Sequence, residues 1–156
     1  MNKSNVCALL IVLALNSCSE PIQRYAVKED VTLRMRAGED CGYCKSVRYS
    51  PNGQQTAQIK IGPVIARSGD IKYVERTGSD PAIIRFAYFP SAESRIREVT
   101  TDNIGSIAVV MSGDNAVSLS EISEPFSKGS TIDGIPLAEA EYLISNVASG
   151  PYLESQ

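Results

Sequence analysis

Ile107-Ala108-Val109-Val110-Met111-Ser112-Gly113-Asp114-Asn115-Ala116-Val117-Ser118-Leu119 is the stretch on which the fold turns. Residues 107–111 are apolar without interruption, which predicts a strand covered on both faces and hence central in its sheet. Ser112-Gly113-Asp114-Asn115 supplies turn residues, and Gly tolerates the positive φ that a tight reversal needs. Val117 and Leu119 then alternate with Ser118 and Ser120, so a hairpin is predicted with its second strand over residues 116–122.

Downstream, Thr131-Ile132 reads as a further short strand. Pro136 opens a helix with Glu139 and Glu141 near its positive end, and Leu137, Ala140, Leu143, Ile144, Val147 and Ala148 form one apolar stripe. Gly150-Pro151 is read as its stop. Upstream, residues 83–89 are apolar except for Arg85 and predict another central strand. Pro90-Ser91 begins a helix in which Ser91 is the expected cap and Ala92, Ile96 and Val99 share a face. Gly105 is placed to close that helix in a left-handed conformation. Ile71, Tyr73 and Glu75 alternate with Lys72, Val74 and Arg76, and Thr77-Gly78-Ser79-Asp80-Pro81 turns the chain.

The front of the chain alternates too. Val31, Leu33, Met35 and Ala37 interleave with Thr32, Arg34 and Arg36, which predicts a strand with one wet face. Val47 and Tyr49 mark a second strand, Ser50-Pro51-Asn52-Gly53 a turn, and Ala57, Ile59 and Ile61 a third strand ending at Gly62-Pro63. The expected fold is therefore α+β. It has an antiparallel or mixed sheet with two helices on one face, preceded by a short three-stranded β-meander.

Composition narrows the chemistry. At 156 residues the chain suits one domain with a short addition. It contains no His, which removes the usual general base, the commonest metal ligand and the near-neutral pH switch together. A net charge of -3 and a pI of about 5.0 offer no electrostatic footprint for nucleic acid. No paired carboxylates have a spacing that argues for acid–base work. Neither enzymatic activity nor a cofactor is expected.

The N-terminus reads as an address. Lys3 precedes an apolar run over residues 6–15, too short to span a bilayer and of signal-peptide length. Leu15-Asn16-Ser17-Cys18 resembles a bacterial lipobox, which implies that Cys18 is acylated and becomes the mature N-terminus. An anchor of two or more chains holds stably on a membrane. Residues 18–30, broken by Pro21, are then expected to be a tether reaching about 20 Å. Ser19 after the Cys resembles the sorting pattern of outer-membrane lipoproteins facing the periplasm.

Cys41-Gly42-Tyr43-Cys44, followed by Lys45, resembles the C-x-x-C loop of envelope disulfide isomerases. That chemistry needs the first Cys at a helix N-terminus, where the dipole favours the thiolate. Residues 45–53 alternate and then turn, so no such helix is expected. Zinc needs four ligands, and Cys41 and Cys44 supply two with no His to complete the set. A structural disulfide in an oxidising compartment is the leading expectation, with a redox pair and a shared metal site as the alternatives.

The second half also resembles the head subdomain of the first large periplasmic domain of SecD, a component of the Sec protein-export machinery. The resemblance lies in Thr101-x-Asn103-x-Gly105, Ile107-Ala108-Val109-Val110, the Gly113 turn and Ile122 to Pro125. It continues through Gly129, Ile132-x-Gly134, Glu139-Ala140, Leu143 and Ser149-Gly150-Pro151, so that it covers roughly the last 90 residues. SecD proteins couple protons through transmembrane helices that have no counterpart in this sequence. What the resemblance implies is the fold and a surface that contacts polypeptide.

The expected organisation is a signal peptide at 1–17, a tether at 18–30, an antiparallel β section at 31–62, a SecD-head-like domain at 63–152 and a tail at 153–156. The expected function is a non-enzymatic, lipid-anchored envelope protein that binds an envelope protein or an exported polypeptide. Val117, Ser118, Leu119 and Ser120 are the candidate interaction edge, with Thr131-Ile132 as a second one. The alternatives are a thiol–disulfide oxidoreductase using Cys41 and Cys44, and a small-ligand module with a pocket between sheet and helices.

Overall fold

A computed structural model describes residues 21–154. The signal-peptide and lipidation expectations, including Cys18, lie outside these residues. The strands of the first half are β1 (Gln23–Val27), β2 (Val31–Arg36), β3 (Lys45–Tyr49), β4 (Ala57–Arg67), β5 (Ile71–Thr77) and β6 (Ala82–Tyr88). Helix α1 (Pro90–Thr101) follows, then β7 (Ile107–Ser112), β8 (Asn115–Glu121), β9 (Gly129–Ile135), α2 (Leu137–Val147) and β10 (Ala148–Pro151).

The fold is α+β, and its strands form two sheets. One is open, in the order β10-β1-β5-β6-β9. The other is a closed five-stranded barrel, β2-β4-β3-β8-β7. The β7–β8 hairpin forms as its turn chemistry predicts, with Val109 opposite Leu119. β7 is central, flanked by β2 and β8, and β6 is central in the open sheet.

Several expectations change. The front strands are not a meander, because β4 lies between β2 and β3. Gly62-Pro63 does not end a strand: β4 runs through it to Arg67. Arg34 pairs with Val64 but Arg36 pairs with Ile61, so β4 carries one extra residue there. Such a bulge accommodates a Pro that has no N–H to give to the ladder.

Gln23–Val27, within the expected tether, form a strand. β1 pairs with β5 on one side and β10 on the other. Arg24 fastens it: its Nε donates to Glu75 Oε2 at 2.8 Å and its guanidinium lies 4.7 Å from the Tyr73 ring. Glu75 is nearly buried, so this partner satisfies a carboxylate that would otherwise be costly.

Helix ends shift for local reasons. Pro90 occupies the first turn of α1 and Phe89 is the residue before it, so Ser91 lies inside the helix and does not cap it. A missing N–H costs nothing in the first turn. α1 ends at Thr101 with Asp102 as its cap, so Gly105 does not close the helix; it takes φ 86° three residues further on, and its N–H donates to Ile122 O at 2.8 Å. α2 stops at Val147, before Gly150-Pro151, because residues 148–151 leave to pair with β1.

Two apolar clusters hold the molecule. The larger draws Leu33 and Ile65 from the barrel, Ile84 and Phe86 from the open sheet, Ile96 from α1 and Leu143 from α2. Each such fully buried side chain contributes roughly 1.5–3 kcal/mol. α1 packs on β4, and α2 reaches both β6 and β8. The smaller cluster, Val47, Ile59, Ile61, Val109, Met111 and Ala116, joins β3, β4, β7 and β8 inside the barrel. Val109 is fully buried in a strand flanked on both sides, but the expectation that it lies under the Leu143 and Val147 stripe of α2 does not hold, because it belongs to this cluster. Its neighbours Ala108 and Val110 share the larger cluster with Leu143 and Val147, because side chains alternate along a strand.

Thr100, fully buried near the end of α1, ties in the approach to β9. Its Oγ1 donates to Ile96 O at 2.8 Å and accepts from Phe126 N–H at 2.9 Å. Gly129 then lets β9 close on β6, since a Cβ there would meet Phe86 O at 2.6 Å.

Candidate functional site

Cys41 and Cys44 are disulfide-bonded, with their Cα atoms 5.4 Å apart. They sit in the loop between β2 and β3, and β3 begins at the next residue, Lys45. No helix starts there. The loop folds on itself through Cys41 N–H to Gly38 O at 3.1 Å and Cys44 N–H to Cys41 O at 3.4 Å. Lys60 Nζ donates to Glu39 O at 2.6 Å and Cys41 O at 2.8 Å, pinning the loop from β4. A helix N-terminus, which favours the thiolate of a C-x-x-C pair, is not part of this geometry. Among the described residues no group of three or more Cys, Asp or Glu is gathered in the manner of a metal site.

The candidate edge at Val117, Ser118, Leu119 and Ser120 is not an open one. β8 pairs with β7 on one side, and Asn115 and Ala116 pair with Arg48 and Tyr49 of β3 on the other. Beyond Ala116, residues 117–119 face a crevice shared with Pro51, Ile135, Glu139 and Leu143, so the end of β9 and α2 crowd that side. Val117 is buried and Ser118, Leu119 and Ser120 are half-buried. Closing a sheet into a barrel removes its edges, and alternation in β8 could not reveal the closure.

The second candidate is an edge. Thr131 and Ile132 lie in β9, the outermost strand of the open sheet, which pairs with β6 from Ala87↔Gly129 to Ala82↔Ile135. Among the described residues no strand pairs with its other side. Thr131 and Asp133 are exposed, while Ser130 and Ile132 are buried. A groove runs beside it, lined by Glu121, Glu124, Pro125, Phe126, Thr131 and Asp133. Those three carboxylates form no ion pair among the described residues. The opposite edge, β10, has four residues and ends in Pro151, which lacks an N–H.

Sequence reasoning did not anticipate one further feature. A cleft of about 600 Å³ opens where β2, β4 and the disulfide loop meet. The alternation of Arg34 and Arg36 in β2 was legible as a wet face, but its union with Gly62-Pro63 and the Cys41–Cys44 loop depends on the β2–β4–β3 order.

Two ionisable groups stand out by their surroundings. Burial raises the Asp70 carboxyl, but the Arg67 N–H and the Arg95 guanidinium, at 2.8 Å each, outweigh it and hold the group below the usual carboxylate range. Burial pushes the Tyr88 phenol well above its ordinary value, against a smaller opposing effect of its hydrogen bond to Ser130. Both serve the scaffold: Asp70 and Arg95 join the chain before β5 to α1, and Tyr88 joins β6 to β9. Among the described residues no helix is long and apolar enough to cross a membrane.

The chain matches no protein-family model and no curated protein sequence.

Proposed function

We propose that this protein is a non-enzymatic, lipid-anchored envelope protein whose SecD-head-like domain binds extended polypeptide by adding it as a strand to β9. The observation that carries the reading is the seven-residue edge of the open sheet, paired on one side alone. Main-chain hydrogen bonds to such an edge supply affinity, and alternate side chains supply selectivity. The groove carboxylates of Glu121, Glu124 and Asp133 favour a segment that carries Lys or Arg. The lipobox-like step before Cys18 and the short remaining tether support a domain held close to its membrane, where exported chains emerge and envelope complexes assemble. The partner is then an envelope protein or an exported chain.

Affinity should be modest. A peptide on one edge makes a handful of ladder bonds at about 0.5–1.5 kcal/mol net each, offset by the cost of ordering the peptide. Photo-crosslinkers at Thr131 and Asp133 should capture polypeptide in intact cells, and one at Ser118 in the barrel should capture much less. Equal capture at Ser118, or none at β9, overturns the reading.

A further inference from the structure

We propose that the cleft at the mouth of the barrel binds an amphiphilic carboxylate, an alkyl or acyl chain with a free carboxyl head. The argument starts from strand register. Along β2, Val31, Leu33 and Met35 belong to the larger core. Arg34 and Arg36 therefore project from the opposite face of the strand. Arg34 is in register with Val109 of β7, whose side chain fills the barrel. Arg36 is in register with Ile61 of β4, and Ile61 is in turn opposite Lys45 of β3. The row Arg36, Ile61, Lys45 thus sets two cations on either side of an apolar residue at the end of the barrel.

The lining of the cleft completes the pattern. Ala37, Ile61, Pro63 and the Cys41–Cys44 disulfide supply apolar surface, and the charged lining residues are Arg34, Arg36 and Lys45, with no acid among them. Arg34 Nε donates to Gly62 O at 3.1 Å, which holds the guanidinium at the wall, and Arg34 makes no ion pair among the described residues. Arg36 meets Glu39 at 3.4 Å and Lys45 meets Asp114 at 2.5 Å. Both acids are well exposed, so these surface pairs are cheap to exchange for a ligand head group. Tyr43, 96% exposed, stands at the opening.

Charge and shape select the occupant. A volume of about 600 Å³ suits a small ligand. In the cleft wall β4 lies between β2 and β3, so its two sides are taken, and Pro63 has no N–H to give. A peptide ladder is therefore not on offer. A carboxylate needs only the Arg and Lys side chains, with bidentate geometry available from either guanidinium, and a hydrocarbon tail needs only the apolar lining.

The test uses the full chain carrying Cys18→Ser, so that no attached lipid competes. Laurate below its micellar concentration is titrated and followed by amide chemical shifts. Saturable shifts are expected at Arg36, Ala37, Tyr43, Ile61 and Gly62. Arg36→Gln/Lys45→Gln, both exposed positions, should raise the laurate Kd about tenfold or more with an unchanged thermal melt. Dodecyltrimethylammonium, with the same tail and the opposite charge, should not bind there. No saturable laurate binding, shifts confined to another part of the molecule, or equal binding of the cationic amphiphile each overturns the proposal. None of these outcomes bears on capture at β9, which is read by crosslinking at a different sheet.

Discussion

The hydroxyls of Tyr88 on β6 and Ser130 on β9 share a buried hydrogen bond of 2.7 Å. It binds the edge strand to the centre of the open sheet from the side-chain layer, in addition to the backbone ladder. Tyr88→Phe leaves the Ser130 hydroxyl buried without its partner and should cost about 1–3 kcal/mol in urea unfolding. Ser130→Ala should cost a similar amount, and the double variant should show clear non-additivity. Purely additive losses would mean that the bond contributes nothing to the joint.

The same tyrosine sets an alkaline limit. Because burial raises the folded-state pKa of Tyr88, its favourable contribution is complete below the unfolded value of 10. Above that pH the unfolded chain loses the proton while the folded chain keeps it, so stability falls as pH rises. Tyr88→Phe should flatten this part of the stability–pH curve, measured by chemical denaturation between pH 9 and about 11.

On the acid side the sign reverses. Asp70 has a depressed folded-state pKa, so its contribution is present above the unfolded value of 3.8 and disappears as pH falls through the lower folded value. Arg95 is half exposed, so the pair is screened and its loss in Arg95→Gln should be at most about 1 kcal/mol. The difference between wild type and Arg95→Gln should shrink toward zero as the carboxyl protonates.

Val109→Asp places a carboxylate in the apolar cluster inside the barrel, with Arg34 of β2 as its cross-strand neighbour of opposite charge. A loss of several kcal/mol is expected, enough to unfold a domain of ordinary stability. An unchanged cooperative melt would contradict the position of β7.

The Cys41–Cys44 pair should prove structural. Its loop is short, so removing the bond by Cys41→Ser/Cys44→Ser should cost about 2 kcal/mol or less and leave the fold intact. Insulin-reduction assays should show no turnover. Measured turnover would promote the oxidoreductase reading.

Cys18 should carry lipid. Globomycin, which blocks lipoprotein signal peptidase, should make the precursor accumulate, and Cys18→Ser should alter membrane fractionation. Wild-type processing of that variant would remove the anchor from the proposal.

Local chemistry made a large part of this fold legible. The β7–β8 hairpin follows from an apolar run, a Gly113 turn and alternation within thirteen residues. The stripe of α2 buries Ala140, Leu143 and Val147, and Gly105 adopts a left-handed conformation, though beyond the end of α1 and not as its cap. The disulfide between Cys41 and Cys44 was likewise within reach of a four-residue reading. Each of these depends on residues that are neighbours in the chain, where side-chain period and turn geometry act directly.

Partner choice was not legible in the same way. Nothing near Tyr49 announces that it will pair with Ala116, yet that parallel contact closes the barrel and turns a predicted edge into an interior strand. Nothing near Arg24 announces Glu75, whose need for a cation helps to make a strand of an expected tether. Alternation showed that Val109 and Val110 face opposite ways, but only the closure of β2-β4-β3-β8-β7 decided which one meets α2 and which fills the barrel. A strand carries the same period whichever partner it takes. Its register and its inner face are set by contacts between distant segments, and these exist only once both sheets have packed.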